Sequence, residues 1–253
     1  MPGVALPLAL LISIPSLAHD TLRLSDLWPF ALAGLLAPGA SQVLFIRAVR
    51  DAGPSRASIL IGTAPLMSVG IALVVLDEPL RPLLLLGTAL VVAGGIALAR
   101  ERERPAHFRL LGVVLALGCA VLFAVRDNIV RWAARGAHPP PLVATDLSLA
   151  AAAGFTLVYV LVARRGRLRA GAAHSLASFA PAGIMLAVAY DCLLEAFDRG
   201  RVSIVAPLNA TQSLWAVLFS VLLYGRQAEL IGRRLVVAGT LIVAGAAVIG
   251  AVR

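Results

Sequence analysis

The chain has 253 residues, of which 60% are hydrophobic and only 14% are charged. An ordinary soluble domain carries about 25% charged residues, so this composition excludes both a soluble domain and a disordered chain. All 22 basic residues are arginine, and the absence of lysine excludes a Walker A phosphate loop and a Schiff-base enzyme.

Nine apolar runs follow one another along the chain, and their mean hydropathy predicts membrane-spanning helices. Such a helix needs about 20 residues to cross about 30 Å of hydrocarbon. The connections are short and carry most of the arginines, which explains the net charge of +9 without a nucleic-acid partner. The predicted fold is all-α, a polytopic membrane bundle of about nine helices. In chain order, the predicted spans are residues 2–18, 28–49, 57–76, 80–99, 110–131, 142–162, 179–197, 203–224 and 235–252.

The first of these runs has a second interpretation. Small residues at its end, up to Ala18, are typical of a signal-peptide cleavage site. No arginine precedes the run, and the first one is Arg23, which favours a retained membrane helix.

An internal repeat emerges when the sequence is shifted by 148 residues, so that residues 42–78 lie over residues 190–226. Thr63 then meets Thr211, and the predicted helix boundaries coincide. Matched spans are five apart and therefore cross the membrane in opposite directions, which predicts an inverted-topology repeat typical of secondary transporters. The predicted repeats are residues 1–104, with four helices, and 105–253, with five. The partner of the helix 110–131 would precede residue 1, so either the chain starts late or it is a nine-helix variant.

Turn and small-residue motifs recur in both halves. They are Ala64-Pro65, the Asp77-Glu78 turn, the run from Ala196 to Ser203, Ala206-Pro207-Leu208, and the glycine-rich last helices from Gly87 and Gly239. On these motifs the chain resembles an EamA-type member of the drug/metabolite transporter superfamily, whose members have ten helices in two halves of five. The sequence departs from the family in lacking the first helix and in having Arg226 at the second-half turn, where an acidic residue is usual.

The resemblance implies a secondary-active carrier, an exporter of a small metabolite or drug across the bacterial inner membrane, with no cofactor. An incomplete or partner-dependent membrane protein is the alternative, and it follows from the missing helix. The four histidines lie in predicted loops without metal-ligand spacing, so we expect neither an enzyme nor a metal site. The stripe Ala89, Ala93 and Ala97 predicts close helix contact, within the chain or in a homodimer.

Ionisable and polar residues inside spans are costly, so they are functional candidates. Asp191 and Glu195 are four residues apart on one helix face, which suits proton coupling, although Glu195 could simply reach water or an arginine. The amides of Asn209 and Gln212 could bind a solute or only another helix. The substrate-binding candidates are Gln42, Thr63, Phe123, Arg126, Asn128, Tyr190, Asn209, Gln212 and Trp215.

Arg126 and two charged residues near the candidates, Arg131 and Asp146, have different expected surroundings. Arg126 could pair with an anionic or zwitterionic substrate, because the adjacent Asp127 lies on a different helix face. Arg131 and Asp146 lie near span ends and are predicted at the membrane interface.

Overall fold

The computed structural model describes residues 24–99, 109–137, 140–163, 178–212 and 233–251, with isolated residues between 3 and 10 and between 214 and 222. Within these ranges every regular element is a helix. Five helices are long and apolar enough to cross a membrane, and two apolar helices are shorter, which confirms the all-α membrane fold. Most of the first predicted span and the end of the eighth lie outside the described residues. The five long helices are Asp26–Ala52, Ala57–Val75, Leu110–Gly136, Pro141–Ala163 and Ala180–Arg199.

Several of these spans are divided by breaks, so the regular elements are more numerous. They are α1 (Leu24–Gly34), a π-helical segment (Leu35–Ala40), α2 (Ser41–Ala52), α3 (Pro54–Ile61), α4 (Ala64–Val75), α5 (Pro82–Ala99), α6 (Leu110–Ala137), α7 (Pro141–Ala163), α8 (Ala180–Arg199), α9 (Val202–Asn209) and α10 (Arg233–Ala251).

The second predicted span is broken in the middle. Ala37 has extended backbone angles, φ −147° and ψ 121°, and the next residue is Pro38, which has no N–H to donate. Both residues are buried, together with Gly39. Irregular backbone at membrane depth is tolerated where protein covers it, which is the case here.

The chain packs into two compact units. Unit one comprises Met1–Val43 and Val125–Gly200, and unit two comprises Leu44–Ala124 and Arg201–Arg253. Each unit therefore contains residues of both predicted repeats. The helix α6 is shared, since its residues up to Ala124 belong to unit two and those from Val125 belong to unit one.

In unit one, α1 and α7 pack with their backbones in contact. A Cβ atom on Gly34 would overlap the carbonyl group of Ser148, so only glycine fits at this point. The hydroxyl of Ser148 donates a hydrogen bond to the carbonyl oxygen of Phe30 at 2.9 Å. This contact fixes the face that α7 presents to α1.

In unit two, α5 and α10 pack through glycines. A Cβ atom on Gly94 would lie 2.8 Å from the carbonyl oxygen of Ala238, and one on Gly245 would lie 2.6 Å from that of Gly87. Such close approach is typical of membrane helices with small residues at the interface. The predicted alanine stripe takes no part in this contact, since Ala89 and Ala93 are exposed.

The repeat is visible in the local geometry of unit two. Helices α3 and α9 each have 8 residues, and their boundaries lie 148 positions apart. Each helix is followed by a threonine whose hydroxyl donates to the carbonyl three residues earlier. Thr63 bonds to Leu60 at 2.6 Å, and Thr211 bonds to Leu208 at 2.7 Å. The third span of the first half and the fourth span of the second half are therefore broken in the same way.

The predicted Asp77-Glu78 turn has a defined partner in unit two. One carboxylate oxygen of Glu78 accepts the N–H of Val202 at 2.9 Å, and the other accepts the N–H of Ser203 at 3.0 Å. Glu78 is buried, and it satisfies two N–H groups that the first turn of α9 leaves unbonded. The repeat position of Val202 is Pro54, which has no N–H, and the repeat position of Glu78 is Arg226, which lies outside the described residues.

Candidate functional site

Unit one contains a cluster of buried polar side chains, which we call the polar cluster. Its members lie on α6, α7 and α8, three of the helices long enough to cross a membrane. Burial of several ionisable groups in an apolar bundle is costly, and it is retained where the groups bind something. The buried members are Arg126, Asp127 and Asn128 on α6, Thr145 and Asp146 on α7, and Tyr190 on α8, and the half-buried Asp191 on α8 completes the cluster.

Arg126 is only 4% exposed and has two neighbours in the cluster. Its Nε atom lies 3.0 Å from Oδ1 of Asp127, and its Nη1 atom lies 3.5 Å from the hydroxyl of Tyr190. The guanidinium carbon lies 5.6 Å from the centroid of the Tyr190 ring, within cation–π distance. The prediction that Arg126 and Asp127 do not pair is therefore wrong. Consecutive residues diverge on a helix, but the long arginine side chain bends back far enough for Nε to reach the carboxylate.

Asp191 faces α7 across the cluster, where its neighbours are Thr145 and Asp146. The Oδ1 atom of Asp191 and the Oγ1 atom of Thr145 are both buried. Asp146 is 6% exposed, so the protein buries it, and its predicted depth near the membrane interface stays a prediction. The close packing of α7 against its neighbours buries Asp146 although it lies only five residues into its helix.

Glu195, the predicted partner of Asp191, has another contact. Its carboxylate forms an ion pair with Arg199, one turn along α8, and its side chain is 38% exposed. The sequence had left open that Glu195 simply reaches water or an arginine, and it does pair with an arginine. A carboxylate that does interact electrostatically with Asp191 is that of Asp146 on α7.

Arg131 is bound to the end of α8. Its Nη1 atom donates to the carbonyl oxygens of Phe197 at 2.9 Å and Asp198 at 2.6 Å. These carbonyls belong to the last turn of α8, where the helix has no further N–H groups to offer and the helix dipole favours a cation. Arg131 therefore holds α8 against α6 below the cluster.

The remaining candidates are divided between the two units. Gln42 lies at the start of α2 in unit one and is half-buried. Thr63, Phe123, Asn209, Gln212 and Trp215 all belong to unit two. The Thr63 hydroxyl is engaged with Leu60, whereas Asn209, Gln212 and Trp215 are exposed.

Sequence reasoning missed Thr145 as a member of the cluster and gave Asp127 and Asp146 no role in it. The available signal was the run Thr145-Asp146-Leu147-Ser148 in the otherwise apolar helix α7. Neither the hydropathy nor the repeat shows that these side chains face α8, because that direction depends on how α7 packs.

Comparison with known families gives the decisive observation. The model of the EamA-like transporter family matches residues 3–100 and again residues 110–251. The chain belongs to the EamA-like transporter family. The two matches cover nearly the whole chain, so this membrane protein has the two-repeat organisation of that family, which is a family of transporters.

Solved structures support the same fold. One crystal structure, described only as that of a protein, superposes with a TM-score of 0.78 at 21% sequence identity. The match covers 99% of this chain and 86% of the other. No curated protein matches the chain.

Proposed function

We propose that this member of the EamA-like family is a proton-driven exporter of a small metabolite or drug in the bacterial inner membrane. It works by alternating access, in which the substrate site opens to one side of the membrane at a time. The chain has no lysine, so no Walker A loop is available for ATP and the driving force is an ion gradient.

The observation that carries the proposal is the buried polar cluster of unit one. Asp191 and Asp146 lie on two spanning helices that pack together, close enough to interact electrostatically. Two neighbouring carboxylates in a low dielectric disfavour double ionisation, so such a pair readily takes up one proton. A proton held there and released to the other side supplies the coupling that an exporter needs. In this proposal Asp146 takes the place beside Asp191 that the helix spacing suggested for Glu195.

Other members of the polar cluster are suited to the solute. Arg126 and Tyr190 offer a guanidinium and a phenol, and Asn128 adds an amide on the same helix. Since Asp127 already neutralises Arg126, we do not assign the cluster to a simple anion. The solute is a small polar molecule that hydrogen-bonds to these groups. Gln42, Thr63, Phe123, Asn209, Gln212 and Trp215 stay candidates for further contacts.

The test begins with purified full-length protein, screened for thermal stabilisation by amino acids, nucleosides and cationic drugs. The compound that stabilises it most is then followed in inside-out vesicles with an acidic lumen, where uptake corresponds to export. We expect Asp191→Asn to abolish accumulation driven by the pH gradient and to retain exchange of labelled for unlabelled compound at equal pH.

Two variants sharpen this result. Asp146→Asn should weaken the coupling as Asp191→Asn does, whereas Glu195→Gln, one turn away on the same helix, should leave gradient-driven accumulation close to that of the wild type. If Asp191→Asn accumulates the compound normally, Asp191 carries no proton. If wild-type vesicles neither accumulate nor exchange any stabilising compound, the chain is no autonomous carrier.

A further inference from the structure

A cavity lies in unit one, away from the polar cluster, between the start of α1 and the end of α6. Its volume is about 500 Å³. The residues that line it include Asp26, Trp28 and Pro29 on α1 and Trp132 and Arg135 on α6. The candidate membrane spans begin at Asp26 and end at Gly136, so the cavity lies where two spans leave the hydrocarbon.

The two tryptophans form the aromatic wall of this cavity. Their ring centroids are 6.3 Å apart, and the rings are tilted by 59°. Trp28 is 55% exposed and Trp132 is 54% exposed, so the pair leaves ring surface uncovered. Tryptophan is common at membrane interfaces, but two tilted rings around a cavity also provide π-faces for a cation.

Charges of both signs line the same cavity. Asp26 lies in the first turn of α1, and Arg135 lies in the last turn of α6. A carboxylate beside two indole rings favours an ammonium group, and an arginine favours a phosphate. The lining thus offers one group suited to an ammonium and another suited to a phosphate.

We propose that this cavity binds the headgroup of a zwitterionic phospholipid such as phosphatidylethanolamine. The ammonium lies against Trp28, Trp132 and Asp26, and the phosphate lies against Arg135. The position at the span ends selects a lipid over a free solute, because the acyl chains of a bound lipid continue along the apolar faces of α1 and α6. This site is independent of the proposed transport function.

The test uses full-length protein reconstituted in vesicles that contain equal amounts of phosphatidylethanolamine and phosphatidylglycerol, then extracted in mild detergent. The lipids that stay bound are measured by mass spectrometry. We expect the wild-type protein to retain phosphatidylethanolamine in preference to phosphatidylglycerol, since only the former has an ammonium. In the double variant Trp28→Leu/Trp132→Leu, the ratio of retained phosphatidylethanolamine to phosphatidylglycerol should fall roughly fivefold. In Asp26→Asn this ratio should fall by less.

Phe179→Leu is the matched control, because Phe179 is an aromatic residue at another span end and is 49% exposed. It should retain the wild-type preference. Equal retention of the two lipids by the wild-type protein would overturn the proposal, and this outcome does not depend on the folding of any variant. Displacement of the bound lipid by free O-phosphoethanolamine at equal concentration would show that the site takes a soluble solute, and it would overturn the assignment to lipid.

Discussion

The carboxylate of Glu78 accepts the backbone N–H of Val202 at 2.9 Å, across 124 positions of sequence. A glutamate from the turn before α5 thus caps the first turn of α9, a helix of the other repeat. Both oxygens are used, since the second one accepts the N–H of Ser203. The contact ties the turn before the last helix of the first repeat to the broken helix of the second.

Loss of this cap should lower the stability of the protein. We expect Glu78→Ala to reduce the free energy of unfolding by about 2 kcal/mol, because two N–H groups beside a helix dipole lose a charged acceptor. Glu78→Gln should cost about half as much, since one oxygen remains. The measurement is denaturant unfolding in detergent.

Asp77→Asn is the control for this series. Asp77 is exposed and has a positive φ of 49°, a conformation that asparagine adopts as easily as aspartate. It should leave stability unchanged. A Glu78→Ala variant as stable as Asp77→Asn would show that the cap contributes nothing.

The ion pair between Arg126 and Asp127 should behave as a coupled unit. Asp127→Asn leaves a buried guanidinium with a weaker partner and should cost about 3 kcal/mol. The double variant Arg126→Met/Asp127→Asn removes both charges and should be more stable than Asp127→Asn alone. A double-mutant cycle on unfolding free energies measures this, and strict additivity would contradict the pairing.

The glycine contact between α5 and α10 should not tolerate a methyl group. A Cβ atom on Gly245 would lie 2.6 Å from the carbonyl oxygen of Gly87, so Gly245→Ala should destabilise the protein by about 1–3 kcal/mol. Gly70→Ala is the matched control in α4, because a Cβ atom there meets nothing within 4 Å. It should be neutral or stabilise by up to about 1 kcal/mol, since alanine favours the helix. The measurement is thermal unfolding of the two variants side by side. An equal loss of stability in both variants would contradict the packing argument.

Arg131 should be required at the end of α8 because it bonds to two carbonyls there. Arg131→Gln should cost about 1–2 kcal/mol, since the charged donor at the helix end is lost. Arg131→Lys should recover part of this, because it restores the charge without the planar guanidinium. Hydrogen exchange of the amides of α8 provides the measurement, and unchanged protection of the last turn in Arg131→Gln would contradict the assignment.

The sequence by itself determined the class of the protein and the period of its repeat. Long apolar runs must form helices in a membrane, because each backbone polar group needs a partner that lipid does not provide. The shift of 148 residues placed Thr63 over Thr211, and both residues make the same local hydrogen bond. Such features depend on the chain close to each residue, and this is why they could be predicted.

Only the tertiary structure decided which side chains meet. Helix spacing alone predicts that Glu195 shares a proton site with Asp191. In the structure Glu195 forms an ion pair with Arg199, and a carboxylate that interacts electrostatically with Asp191 is that of Asp146. The Glu78 turn was visible in the sequence, whereas its bonds to Val202 and Ser203 were not. The physical reason is that spans are apolar on nearly all sides, so hydropathy does not reveal which face of a helix turns towards its neighbour. That direction is set by close packing, at points such as Gly34 against Ser148, between residues far apart in the chain.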